Sequence, residues 1–66
     1  MRPRLKEARI RAGYSQLEVA HILGISQQSV AKHELGRTTP LEFKTIRGYE
    51  QLLGIDARQL FPDVFL

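Results

Sequence analysis

The stretch SQLEVAHILGISQQSVAKHELG, residues 15–36, decides the fold of this chain. It begins at Ser15, whose hydroxyl can accept a hydrogen bond from the N–H of Glu18 while the Glu18 carboxylate accepts one from the N–H of Ser15. This reciprocal pair, a capping box, predicts that a helix begins there. Apolar residues follow at helical spacing, and Gly24 allows the positive backbone φ at which helices commonly end. The residues therefore predict a short helix that ends at Gly24.

A second helix is predicted after a short connection. Ser26 is a suitable N-cap and Gly36 a suitable residue to follow the last turn, so we expect a helix over Gln27–Leu35. Two helices joined by about three residues that include a glycine form a helix-turn-helix unit, here Gln16–Leu35. The second helix of such a unit can lie in the major groove of DNA. The stretch therefore indicates a DNA-binding module.

Helices are also predicted near both ends of the chain. One runs from Pro3 or Arg4 to Ala12, since proline is tolerated in the first turn of a helix. A short one begins after Asp56, which is expected to form a second capping box with Gln59.

The fourth helix in chain order is predicted to begin at about Leu41, because Pro40 cannot lie inside a helix. Its inward face is predicted from residues at three- and four-residue spacing, namely Phe43, Ile46, Tyr49 and Leu53. Gly48 in its middle costs about 1 kcal/mol relative to alanine, which indicates the close approach of another backbone. The chain is thus predicted to be all-α, a single domain that forms a compact bundle of five short helices.

Length and composition limit the alternatives. Sixty-six residues allow one domain, and without cysteine neither disulfides nor thiolate metal sites can support it. No apolar run approaches the roughly 20 residues that span a bilayer, so a cytoplasmic protein without a membrane partner is expected.

The net charge is +3, and the N-terminal cations are expected to form a patch that can meet a polyanion. These cations are Arg2, Arg4, Lys6, Arg9 and Arg11.

The sequence as a whole resembles the Cro/CI-type family of phage repressors, also called XRE-like. The resemblance extends from Leu5 to Phe61 and rests on Arg9, the run 13–16, Ala20, Gly24, Glu34, Gly36, Pro40, the run 53–55 and the pair 60–61. It implies a lambda repressor-like DNA-binding domain that regulates transcription, as a repressor. It also implies a homodimer on a near-palindromic operator of double-stranded DNA, with half-sites about one helical turn apart.

The side-chain amide of glutamine carries a hydrogen-bond donor beside a hydrogen-bond acceptor, and this pair matches the major-groove edge of adenine. The predicted base-reading residues lie on the second helix of the unit and are Gln27, Gln28, Ser29 and Lys32. The predicted phosphate-binding residues surround it and are Gln16, Arg11, Arg37, Thr38, Thr39 and Lys44. The resemblance implies the roles of Gln16, Gln27 and Gln28, and further that Gln16 braces Gln27. Two glutamines at the start of a helix are otherwise ordinary solvated residues, and that alternative stays open.

A structural role is predicted for three more residues. In the resembled family an arginine on the first helix pairs with a glutamate at the end of the recognition helix, which here are Arg9 and Glu34. The alternative is two exposed side chains that never touch. His33 is expected to be a core or half-core side chain with one ring nitrogen hydrogen-bonded. Because His21 is twelve positions away and no acidic or cysteine cluster completes a ligand set, no metal site is predicted.

The C-terminal tail, Pro62–Leu66, is apolar and can either fold back onto the core or face a second copy of the chain. The candidate dimer-interface residues are Phe61, Val64, Phe65 and Leu66. The resemblance also leaves a second function class open, an antitoxin of a toxin pair, with the tail or Leu35 meeting the toxin. No acid–histidine arrangement and no phosphate-cradling glycine loop are found, so neither an enzyme nor a bound cofactor or small molecule is predicted.

Overall fold

A computed structural model of the chain describes residues 2–65, and these form five α-helices without a strand. In chain order the helices are α1 (Pro3–Arg11), α2 (Gln16–Leu23), α3 (Gln27–Leu35), α4 (Phe43–Leu53) and α5 (Ala57–Leu60). The predicted all-α bundle of five short helices is therefore confirmed. None of the helices within residues 2–65 is both long and apolar enough to cross a membrane.

Local capping signals fix the ends of α2 and α3. The hydroxyl of Ser15 accepts a hydrogen bond from the N–H of Glu18 at 3.0 Å, and the Glu18 carboxylate accepts one from the N–H of Ser15 at 2.9 Å. The side chain of Ser26 accepts a hydrogen bond from the first turn of α3. Gly24 and Gly36 follow the two helices with φ of 70° and 75°, in the left-handed region that favours glycine. Both helices therefore begin and end where the sequence predicts.

The start of α4 differs from the prediction. The helix begins at Phe43 rather than at about Leu41, because Glu42 is still extended, with φ of −107° and ψ of 133°. The predicted inward face is also wrong at its first position, since Phe43 is 61% exposed while Ile46 and Tyr49 are buried. Phe43 occupies the first turn of α4, and no described element covers the helix at that point.

Gly48 lies in the middle of α4, against α2. A Cβ atom at this position would stand 2.7 Å from Cδ2 of Leu23, which is closer than side chains approach one another. The sequence predicted that another backbone approaches here, and that prediction is wrong. The neighbour is a leucine side chain.

The cap of α5 also differs from the prediction. The carboxylate of Asp56 accepts a hydrogen bond from the N–H of Arg58 at 2.7 Å, and not from Gln59, so no second capping box forms. The N–H of Ala57 donates instead to the carboxylate of Glu50 on α4, at 2.7 Å. The first turn of α5 is therefore held by the preceding helix.

The core lies where all five helices meet. Helix α3 packs against α1 and α2, α4 packs against α2 and α5, and α5 returns to α1. The buried apolar residues are Leu5, Ala8, Val19, Ala20, Val30, Ile46, Tyr49, Ala57, Leu60 and Phe61. Helix α3 directs Val30, His33 and Glu34 into this core. Its opposite side is therefore free to face a ligand.

Candidate nucleic-acid interface

The outward side of α3 carries most of the predicted base-reading residues. Gln27, Gln28 and Lys32 are exposed, and Gln28 and Lys32 lie one helical turn apart. Val30 and His33 on the opposite side are 0% and 5% exposed. The helix is thus held from behind while its polar side chains project from the molecule.

Ser29 differs from the other three residues. It is half-buried, and its hydroxyl lies 2.9 Å from the hydroxyl of Ser26, the residue that caps α3. Either hydroxyl can be the donor of this bond. If Ser29 is the donor, its hydroxyl has no proton left for a base acceptor, which makes Ser29 a weaker candidate than the glutamines.

A groove runs beside the outward side of α3. Its volume is about 380 Å³, and Ser29 and Lys32 form one wall. Thr38, Thr39 and Thr45 contribute to its lining from the segment after α3 and the start of α4. The structure thus brings two predicted base-reading residues and two predicted phosphate-binding residues together around one concave surface.

All three predicted phosphate-binding cations are exposed, and two of them have acidic neighbours. The Arg11 guanidinium lies 3.2 Å from the carboxylate of Glu7, and the ammonium group of Lys44 lies 3.5 Å from that of Glu42. Exposed ion pairs of this kind contribute little to stability, so either cation can exchange its partner for a phosphate. Arg37, directly after α3, is exposed as well.

Gln16 has a different neighbour from the one expected. Its side-chain amide donates to Oε1 of Glu34 at 3.1 Å, so it braces Glu34 and not Gln27. The physical reason is the burial of the Glu34 carboxylate, which is 4% exposed and requires donors. The half-buried Gln16 side chain therefore links the start of α2 to the end of α3.

Arg9 and Glu34 are brought together. The Arg9 Nε lies 2.5 Å from Oε2 of Glu34, and Nη2 donates to Oε1 at 3.2 Å, which gives a bidentate pair. A further N–H of Arg9 donates to the carbonyl of Tyr14 at 2.9 Å. The pair joins α1, the α1–α2 connection and the C-terminal half of α3, so it fixes α3 against the rest of the bundle.

His33 is a core residue with one ring nitrogen in a hydrogen bond. Its Nδ1 lies 2.8 Å from the hydroxyl of Tyr49 on α4. Burial, and secondly the charge of Arg2, lower the pKa of His33 below its ordinary value of 6.5. Burial also raises the pKa of the Tyr49 hydroxyl, which therefore stays protonated.

Within residues 2–65 no group of His, Cys, Asp and Glu is arranged to hold a metal ion.

Arg2 is the residue that sequence reasoning misjudged. It was expected in an exposed basic patch, but it is 2% exposed and its guanidinium binds the tail residue Asp63 and the segment after α3. The partners lie far along the chain, and nothing in the local sequence around Arg2 signals them. Arg2 is therefore not available as a free cation for DNA.

The predicted dimer-interface residues do not behave as one set. Phe61 is 0% exposed and lies in the core of a single subunit, which removes it from the candidate interface. Phe65 is half-buried against the core, and Val64 is 39% exposed. Leu66 lies outside the described residues. Phe61 is buried because its ring packs against Tyr49 of α4 and under the guanidinium of Arg2.

Comparison with known proteins agrees with this geometry. Residues 5–60 match the helix-turn-helix family. Over 52 residues the chain is 40% identical to the SPbeta prophage-derived uncharacterized HTH-type transcriptional regulator YonR of Bacillus subtilis (strain 168), over 79% of this chain and 47% of that protein. The chain thus spans about half the length of this relative. No solved structure gives a significant match.

Proposed function

The chain belongs to the helix-turn-helix family, of the XRE-like type, and from this premise we propose that it is a sequence-specific DNA-binding regulator of transcription. The family assigns the chain to DNA-binding proteins and not to enzymes. The finer proposal is a repressor that binds a near-palindromic operator as a dimer, with α3 in the major groove. One observation carries this proposal, the exposure of Gln27, Gln28 and Lys32 on a helix whose other side is buried.

The chemistry of these side chains supports base reading. The amide of Gln28 can form two hydrogen bonds with the N6 and N7 atoms of an adenine, and a pair of this kind discriminates by about 1–3 kcal/mol. Lys32, one turn further along α3, can donate to a guanine or to a phosphate. Gln27 lies beside Gln28 in the first turn, at the end of α3 that enters the groove.

The surroundings of α3 support contacts with the sugar-phosphate backbone. Arg37, Thr38 and Thr39 follow the helix, and Lys44 lies in the first turn of α4. In our proposal these residues bind phosphates on the flank of the half-site, while Arg11 does so from the end of α1. Contacts of this kind position the protein without reading the sequence.

The dimer is proposed because one module makes few base contacts. Two copies related by a two-fold axis would read two half-sites about one helical turn apart. Of the tail residues predicted for the interface, Val64 remains as an exposed candidate and Phe65 as a half-buried one. Sedimentation of the protein with its duplex tests the proposal. Two chains per duplex are expected, and one chain per duplex at micromolar protein would exclude the dimer.

Selection of bound sequences from a random duplex pool tests the function itself. We expect the selected duplexes to share a half-site that contains adenines and recurs with inverted symmetry. A protein-interaction module of the antitoxin kind that does not read DNA would enrich no sequence. Recovery of a random pool after several rounds would therefore contradict the proposed function.

A further inference from the structure

The Arg2 guanidinium is fully satisfied inside the protein. Its five N–H groups match five acceptor contacts. Nε and Nη2 donate to the two carboxylate oxygens of Asp63 at 2.9 and 2.8 Å, and Nη1 donates to the carbonyls of His33 and Thr38 at 2.8 and 2.7 Å. The second Nη2 bond goes to the hydroxyl of Thr39 at 3.1 Å.

The Arg2 guanidinium also contacts an aromatic ring. The guanidinium carbon lies 4.9 Å from the centre of the Phe61 ring, within the range of a cation–π interaction. The backbone N–H of Arg2 donates to the carbonyl of Glu34 at 2.8 Å. Arg2 therefore joins the end of α3, the segment after it, and the C-terminal tail in one cluster around its buried guanidinium, which we call the Arg2 clamp.

The clamp fixes a segment that has no regular structure of its own. Residues 37–40 lie between α3 and α4, and Thr38 and Thr39 are both exposed. The side-chain hydrogen bonds that the structure gives these two threonines, within residues 2–65, are those from Arg2. Asp63 holds the guanidinium from its other side. Arg2 therefore ties Thr38 and Thr39 to the end of α3 and to Asp63.

The segment also forms part of the surface proposed to meet DNA. Thr38 and Thr39 line the same groove as Ser29 and Lys32. We propose that Arg2 is a positioning residue for DNA binding, which holds the segment 37–40 so that its groups reach a phosphate while α3 lies in the major groove. This inference rests on the proposed function and assigns to Arg2 no contact with DNA.

Charge alone and positioning predict different affinities for two variants. Arg2→Lys keeps the positive charge, but an ammonium group cannot reproduce the planar fork that binds five acceptors. Asp63→Asn removes a negative charge, which by electrostatics alone would tighten binding to a polyanion. If Arg2 acts by positioning, both variants bind DNA more weakly.

The experiment measures the dissociation constant of each variant for the selected duplex, at a temperature at which circular dichroism shows every variant fully folded. Matched controls are Arg4→Lys, at an exposed arginine, and Asp56→Asn, at an exposed aspartate where asparagine remains a good helix cap. We expect Arg2→Lys and Asp63→Asn to weaken binding about tenfold, as for loss of one hydrogen bond to a charged group. The two controls are expected to change it less than about twofold.

Two results would overturn the proposal. One is an affinity of Arg2→Lys equal to that of Arg4→Lys, including the case in which only the melting temperature falls. The other is tighter binding by Asp63→Asn. Should the wild-type chain select no duplex, the proposed function fails, and ¹⁵N relaxation then decides the positioning role separately. Lower order parameters at Thr38 and Thr39 in Arg2→Lys than in Arg4→Lys support it, and equal values overturn it.

Discussion

The hydroxyl of Tyr49 and Nδ1 of His33 lie 2.8 Å apart in the core, and this bond joins α3 to α4. The two rings meet edge to face, with their centres 5.7 Å apart. Tyr49 makes a second edge-to-face contact with Phe61, at 5.5 Å. The orientation of α3 is therefore coupled to a buried titratable group, His33, which is 5% exposed.

The first prediction concerns pH. Since the folded-state pKa of His33 is lowered, the unfolded chain binds a proton at a higher pH than the folded chain does. The free energy of unfolding should therefore be highest above pH 6.5 and fall as the pH decreases below 6.5, by at most about 1.4 kcal/mol per pH unit. Urea unfolding between pH 5 and 8 measures this dependence.

The control for this measurement is the exposed His21. His21→Gln should keep the fall in stability below pH 6.5, whereas His33→Gln should abolish it because the titrating group is gone. An unchanged pH profile in His33→Gln would assign the dependence to other groups.

The second prediction concerns the buried ion pair. Arg9→Ala or Glu34→Ala leaves the partner charge buried without its counter-ion, so each should lower the free energy of unfolding by about 3–5 kcal/mol. The double variant should lose much less than the sum of the two, because no stranded charge remains. Urea denaturation gives all three values. The exposed pair Glu7 and Arg11 is the control, and its removal should cost less than about 1 kcal/mol.

The third prediction uses the contact of Gly48 with Leu23. Gly48→Ala gains about 1 kcal/mol of helix propensity but forces Cδ2 of Leu23, 2.7 Å from the new methyl group, to move. We expect this variant to be destabilising in the wild-type chain. In a Leu23→Ala background the obstacle is absent, and Gly48→Ala should stabilise by about 1 kcal/mol. The same sign in both backgrounds, measured by thermal unfolding, would show that Leu23 is not the obstacle.

The fourth prediction separates base reading from support. Gln28→Ala should weaken binding to the selected duplex by about 1–3 kcal/mol and leave binding to random duplex nearly unchanged. Gln16→Ala should weaken both, because Gln16 lies against Glu34 and not against a base edge. Competition gel shifts with the two duplexes measure this. Equal losses on both duplexes for Gln28→Ala would exclude its base-reading role.

Local signals made α2 and α3 predictable. Ser15 with Glu18, Ser26, and the glycines at 24 and 36 each act on residues within one turn, so their effect can be read without knowing the fold. The family resemblance added the pairing of Arg9 with Glu34, which the spacing of charges along the chain would not have revealed. The position of α3 could therefore be predicted from its own capping residues, and its contact with α1 from the family resemblance.

Long-range contacts account for most of what the sequence did not predict. Arg2 binds Asp63, 61 positions away. The residues next to Arg2 in the sequence do not tell whether its side chain is buried or exposed. The burial of Phe61 could not be predicted for the same reason. Whether an aromatic residue near the end of the chain enters the core depends on the space that the other helices leave. The exposure of Phe43 shows the same limit, because the spacing of apolar residues does not tell which part of a helix other elements cover.

The contact of Arg2 with Asp63 has a consequence for how the backbone can be connected. Since these side chains meet, the first and last described segments lie side by side, and a linker of a few residues can join them into a ring. Cyclisation would reduce the conformational freedom of the unfolded chain and raise stability without altering the folded contacts. A bulky fusion attached immediately before Arg2 or after Phe65 would instead lie next to the contact of Arg2 with Asp63, so purification tags belong on long flexible spacers.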